Sequence, residues 1–130
     1  MNMFKLFKKD AGIPIVKEIP AAAGTYAVGQ TLGFNEAGLL AQVAGTNVPE
    51  YISAAATTVA SGTAIAVNPV YRDVEYKTVF SADGSSLKAG TKVTIATTFD
   101  SVTATSTNGV AEIVEKLGSG ASGTEVIVKF

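Results

Sequence analysis

The sequence predicts an all-β fold: a small antiparallel β sandwich or barrel with an extended N-terminal arm. Short runs of strand-forming residues recur at close, regular intervals between turn residues, a pattern typical of sandwiches and barrels rather than βαβ units. The chain contains fifteen threonines and few runs that favour a helix, which also favours strands. The first twenty residues differ from all that follows, and this difference predicts the arm.

The arm is distinguished by its composition and charge. Residues 1–9 are apolar and basic and include no turn residue. Residues 1–17 carry four lysines and one aspartate, a net charge of +3, whereas residues 18–130 carry six basic and ten acidic groups, a net charge of −4. We therefore expect an arm over residues 1–20, a β-rich domain over residues 21–130, and a protein that attaches to something larger.

The segment that leaves the arm is predicted to be extended. Pro14 and Pro20 flank most of Ile13–Ile19, and each proline lacks an amide donor and holds the preceding residue in extended geometry. Such a segment is typical of a tether or an edge strand rather than a central strand.

Two pairs of strands come next. Gln30–Phe34 and Leu39–Val43 flank a turn-forming Asn-Glu-Ala-Gly sequence and are expected to form a hairpin. Tyr51–Ala56 and Thr63–Val67 are also predicted strands. Asn47–Ala60 could instead form a helix capped by Asn47, but its threonines and small residues favour strands.

Val70–Phe80 is the clearest strand, because apolar and polar residues alternate along most of its length. Lys92–Thr97, Val102–Thr105, Val110–Leu117 and Glu125–Phe130 complete the predicted set. The apolar positions of the alternating runs predict a core that includes Val74, Tyr76, Phe80, Val93, Ile95, Ile113 and Val128.

The composition argues against catalysis. The chain contains no cysteine, histidine or tryptophan, which excludes thiol nucleophiles, disulfides and histidine-based acid–base chemistry within one chain. Asp73 with Glu75, and Glu112 with Glu115, could act as paired carboxylates, but solvated strand faces paired with Lys77 or Lys116 explain them better. We expect no enzyme, no cofactor and no metal site.

Three further patterns have simple structural interpretations. Gly118–Gly123 matches G-x-G-x-x-G, but a β run follows it instead of the helix that a dinucleotide site needs, so we expect a hairpin loop. Tyr51–Tyr71 carries no charge, yet its polar residues and proline argue against a membrane span. The net charge of −1 predicts no broad nucleic-acid footprint, so neither membrane nor nucleic acid is an expected partner.

The arm holds the candidate binding residues. A cluster of exposed apolar side chains beside lysines offers area that a partner can bury, although a disordered terminus is the alternative. The candidates for partner binding are Met3, Phe4, Lys5, Leu6, Phe7, Lys8, Lys9, Ile13 and Ile15.

Several stretches of the chain resemble the small head-decoration, or capsid-stabilising, proteins of tailed bacteriophages. They are Ser81–Ile95, Val102–Val114 and Gly123–Phe130, together with Gly24–Gln30 and Gly38–Gln42. The resemblance implies a compact β-tulip-like body that binds the major capsid protein on the outside of the virion. It also implies a homotrimer on the shell, produced in the cytoplasm of a host bacterium, whose N-terminal extension contacts the capsid or a neighbouring copy.

A carbohydrate- or surface-binding β module of a fibre or adhesin is the alternative function. Such modules present exposed aromatic side chains, and the four tyrosines of this chain (Tyr26, Tyr51, Tyr71 and Tyr76) are too scattered in sequence to choose between the two.

Overall fold

The computed structural model describes residues 2–8, 15–71 and 74–130. These residues form twelve strands, and the all-β prediction is confirmed. The strands are β1 (Lys5–Lys8), β2 (Lys17–Pro20), β3 (Gly24–Tyr26), β4 (Thr31–Phe34), β5 (Leu40–Gln42), β6 (Tyr51–Ser53), β7 (Thr57–Val59), β8 (Ala64–Pro69), β9 (Glu75–Val79), β10 (Lys92–Val93), β11 (Ala111–Lys116) and β12 (Glu125–Lys129).

The strands form three sheets in which every neighbouring pair is antiparallel. The first sheet has the order β1-β9-β12-β11-β10, the second β2-β8-β6-β4-β5, and the third pairs β3 with β7. They pack as a sandwich, and within the described ranges the sheets stay open rather than closing into a barrel. The helical alternative for Asn47–Ala60 is wrong, since this stretch contains β6 and β7.

Two apolar clusters hold the sheets together. The first cluster lies on the inner face of the first sheet and includes Ile52 from β6, while Leu32, Ile65 and Val67 of the second sheet belong to the second cluster. The second sheet thus contributes to both. All seven predicted core residues are buried, each at most 3% exposed, and the core prediction is confirmed: Val74, Tyr76, Phe80, Val93, Ile95, Ile113 and Val128.

The two predicted hairpins are present, and local hydrogen bonds explain their turns. Between β4 and β5, the Asn35 side chain accepts bonds from the amides of Ala37 and Leu39 at 2.9 and 3.0 Å. Gly118–Gly123 joins β11 to β12 as a hairpin loop, in which Gly120 (φ +90°) and Gly123 (φ +87°) adopt backbone conformations that favour glycine.

Most predicted strands are shorter in the structure, and three differ in an informative way. The run Val70–Phe80 forms a strand only from Glu75, with Arg72 and Asp73 outside the described residues. Lys92–Thr97 is reduced to β10, and Val102–Thr105 makes only isolated bridges at Val102, to Phe80 and Ile95. Alternating side chains predicted the inward face, but the length of each strand depends on which neighbour is present to pair with it.

Candidate partner-binding surface at the N-terminus

The N-terminal arm is part of the first sheet over the residues that the structure describes. Strand β1 pairs with β9 at the sheet edge, with Lys5 opposite Lys77, Leu6 opposite Tyr76, and a bulge before Lys8. The predicted boundary after residue 20 therefore separates two compositions, while β1 itself packs on the body. For the segment Ile13–Ile19 the sequence predicts a tether or an edge strand; its residues from Lys17 onward belong to β2, which lies at the edge of the second sheet, while Ile13 and Pro14 lie outside the described residues.

Phe4 lies in the body of the protein. Its side chain is 2% exposed and belongs to the first core cluster. Its ring centroid lies 5.4 Å from that of Phe130, and Phe130 lies 5.5 Å from Tyr76. This corrects the expectation that Phe4 offers its side chain to a partner, because the chain's own core already buries it.

Gly29 is a residue on which the N-terminal segment docks. The Phe4 amide donates to the Gly29 carbonyl at 2.8 Å, and the Gly29 amide donates to the carbonyl of Ser53 in β6, also at 2.8 Å. Gly29 has φ +86°, and a Cβ added there would lie 2.9 Å from the Met3 Cα and closer still to its Cβ. Half-buried Met3 can pack here only because residue 29 has no side chain.

Beyond Phe4, the large apolar side chains of residues 5–8, 15 and 16 are partly or largely exposed. Leu6 is 37% exposed, Phe7 51%, Ile15 47% and Val16 62%. These four are among only nine large apolar side chains that are exposed in the described residues. Exposed apolar area is therefore concentrated in the N-terminal segment, as is typical of a surface that a partner covers.

Val28 of the body adjoins this exposed area. Leu6 and Val28 line one cavity of about 210 Å³ together with Asn68, and the Asn68 side-chain amide donates to the Ile15 carbonyl at 2.8 Å. We call the exposed residues Leu6, Phe7, Ile15, Val16 and Val28 the N-terminal patch.

Several of the predicted binding residues are exposed in or beside the N-terminal segment. Leu6, Phe7 and Ile15 belong to the N-terminal patch, and Lys5 is exposed on β1 beside it. Lys8 lies on β1, while Lys9 and Ile13 lie outside the described residues. The sequence analysis missed Val16 and Val28; Val16 stands in an apolar run with Ile13 and Ile15, but nothing local to Val28 indicates its position.

The charges around β1 follow the strand register. Moving across the first sheet, Lys92, Glu112, Lys129, Glu75 and Lys8 occupy successive paired positions, so lysine and glutamate alternate across five strands. The Lys129 ammonium lies 3.4 Å from the Glu112 carboxylate. Opposite charges on neighbouring strands stabilise the register by a few tenths of a kcal/mol up to about 1 kcal/mol each.

These ion pairs revise one expectation about the carboxylates. Glu112 pairs with Lys129, its register partner on β12, and Lys77 of β9 pairs at 3.3 Å with Glu125, a diagonal neighbour on β12. Among the described residues, no group of three or more metal-ligating side chains is close enough to hold an ion.

A second concave surface lies where the β6 and β8 segments meet the edge of the first sheet. It is an open groove of about 610 Å³ whose charged side chains are Glu50 and Lys92 and whose exposed aromatic residue is Tyr71. The full lining is Val48, Pro49, Glu50, Val70, Tyr71, Lys92, Gly109, Val110 and Phe130. Of the other tyrosines, Tyr26 and Tyr76 are buried in the two cores.

No helix in the described part of the chain is long and apolar enough to cross a membrane. Comparison with models of protein families, with curated proteins and with solved structures finds no match to this chain.

Proposed function

We propose that this chain is a structural virion protein that binds the outside of an icosahedral phage capsid and stabilises the shell by bridging neighbouring subunits. The observation that carries the proposal is the N-terminal patch: exposed apolar side chains gathered in one segment, with Lys5 beside them. The sequence resemblance to head-decoration proteins supplies the kind of partner.

The described contacts suit a mechanical role. Phe4 and the Gly29 carbonyl dock β1 on a packed sandwich, so Leu6 and Phe7 are ordered before a partner binds. A pre-ordered surface loses less conformational entropy on binding than a free terminus. Small contacts repeated by symmetry over a shell then add through avidity, and three copies around a local threefold axis meet this need.

Particle binding is the test of this proposal. Purified protein is mixed with expanded empty capsids, and the bound fraction and the capsid melting temperature are measured. We expect saturable binding and a higher melting temperature. The double variant Leu6→Ser with Phe7→Ser should bind much more weakly, while Leu117→Ser, which changes a similarly exposed leucine elsewhere, should bind normally.

The proposal would be contradicted if the double variant and Leu117→Ser lost capsid binding equally. It would also be contradicted if the unchanged protein bound none of the phage capsids tested. Normal folding of each variant is checked by circular dichroism, so that lost binding reflects the surface and not the fold.

One observation favours a second candidate function, a carbohydrate- or surface-binding module. Tyr71 is 39% exposed in the open groove with Glu50 and Lys92, and aromatic rings beside polar groups suit sugar rings. Binding to bacterial surface polysaccharides, reduced by Tyr71→Ala and unaffected by the Leu6/Phe7 double change, would favour this function over capsid decoration.

A further inference from the structure

We propose that the N-terminal segment of residues 3–8, which includes β1, is exchangeable between copies. It docks on Gly29, Tyr76, Phe130 and strand β9, a site that we call the seat. The seat of one copy also accepts the same segment of a second copy. The inference concerns copies of this chain alone, and it holds or fails whether or not the protein binds a capsid. It identifies the seat as an interaction site and a second copy as its partner.

The structure shows which segment occupies this seat and which contacts hold it there. Phe4 enters the first core cluster beside Tyr76 and Phe130, its amide bonds to Gly29, and the residues after it pair with β9. These contacts are made by side chains and backbone, and none depends on the covalent connection from β1 to β2. The same segment from another copy makes them equally well.

The seat is also one that can open. Strand β1 has four residues and a bulge, lies at a sheet edge, and leaves Leu6 and Phe7 exposed. Few buried contacts at an edge give low local stability. Opening exposes the apolar surfaces of Phe4, Tyr76 and Phe130, so a segment must return to the seat, either from the same chain or from a neighbour.

Replacement of β1 is favoured over addition of a strand outside it. Lysines and a bulge on an edge strand oppose further pairing, and β1 has Lys5, Lys8 and a bulge within its four residues. The pairing of β1 with β9 shows no charge complementarity, since Lys5 lies opposite Lys77, but docking there buries Phe4 in the first core cluster, which a strand added outside β1 cannot do. A second copy therefore gains more by occupying the seat than by extending the sheet.

Exchange has a direct consequence for assembly. When the segment of each copy enters the seat of the next, the contacts of the monomer are kept and the copies become linked at little cost in free energy. If the rotation between successive copies closes, the product is a ring, and a ring of three agrees with the proposed trimer.

The absence of cysteine from the chain permits a clean test. Two single variants of the full chain are made, Lys5→Cys and Lys77→Cys, whose positions are in register between β1 and β9. They are mixed, unfolded in urea, refolded together and oxidised. Neither variant can form a disulfide within one chain, so a mixed disulfide dimer reports β1 of one copy beside β9 of another.

We expect the mixed disulfide to form several times more than in a control mixture of Lys5→Cys with Lys88→Cys, an exposed lysine of the turn before β10. Adding Phe4→Ala to the Lys5→Cys chain should reduce the yield to the control level. Refolding from urea allows both arrangements to equilibrate, so a yield no higher than the control overturns the proposal. A high yield that ignores Phe4→Ala also overturns it, because the link would then not depend on the seat.

Discussion

At the scale of single residues, Gly29 determines whether the N-terminal segment can dock. A Cβ at this position meets Met3, and φ +86° adds backbone strain for any other residue. Gly38 has a similar φ of +76° with nothing within 4 Å of a built Cβ. Both Gly29→Ala and Gly38→Ala should cost about 1–2 kcal/mol in unfolding free energy from strain, but only Gly29→Ala should expose β1. Amide hydrogen exchange of β1 and β9 distinguishes the two variants. Equal protection of these strands in both would show that docking of the N-terminal segment does not depend on Gly29.

Tyr76 provides a residue-scale test of the first core. Burial, with a smaller contribution from Tyr71, raises the pKa of Tyr76 from 10.0 to about 12. Between these values the unfolded chain loses the phenol proton while the folded chain keeps it, so stability falls as pH rises through this window. Tyr76→Phe should remove on the order of 2–3 kcal/mol of this loss. Urea unfolding at neutral and alkaline pH measures it, and an unchanged pH slope would contradict the burial. A residual slope is expected because burial also raises the pKa of Tyr26.

At the scale of elements, β1 combines a buried anchor with an exposed surface. Phe4→Ala should lower the free energy of unfolding by about 3 kcal/mol, as expected for removal of a buried aromatic ring. Phe7→Ala, at a side chain 51% exposed, should change it by less than about 0.5 kcal/mol. Urea denaturation compares the two variants. A similar loss of unfolding free energy in both variants would contradict this division between a buried anchor at Phe4 and an exposed surface at Phe7.

The same element shows where sequence-based prediction succeeds and fails. Alternation identified the inward residues Tyr76 of β9 and Ile113 of β11, because a half-buried strand exposes one face and buries the other. It does not describe β12, where Val126, Ile127 and Val128 are all buried. The apolar and basic composition of residues 1–9 predicted an exposed binding segment, which agrees with Leu6 and Phe7 but not with Phe4. Phe4 packs on Phe130, at the far end of the sequence, and such a contact depends on strand order, which no local pattern records.

At the scale of the whole molecule, the sandwich followed from the spacing of strands and turns, while its division into three sheets did not. The predicted strand Tyr51–Ala56 ends as β6 in the second sheet, and β7 then pairs with β3 in the third. Small and polar residues between these strands fit both a continuing strand and a turn. The N-terminal patch was equally beyond prediction from local sequence. Val28, between β3 and β4, lines one cavity with Leu6 of β1, and only the tertiary structure brings these two residues together.

Removal of residues 1–9 tests how the molecule divides its tasks. The shortened chain should keep a β-type circular dichroism spectrum, since the second cluster and most of the first remain. Its free energy of unfolding should fall by at least as much as in Phe4→Ala, because Tyr76 and Phe130 lose their cover. Particle binding should be lost as well. The matched comparison is the Leu6→Ser with Phe7→Ser variant, which should lose binding with a smaller loss of stability than the shortened chain, since Phe4 stays in place and the two side chains are 37% and 51% exposed. Thermal unfolding and capsid sedimentation, measured on both proteins, separate the effect on stability from the effect on binding.

A shortened chain as stable as the full one would show that Phe4 does not contribute to the stability of the first core cluster. A shortened chain that still binds capsids would place the binding surface outside the N-terminal patch.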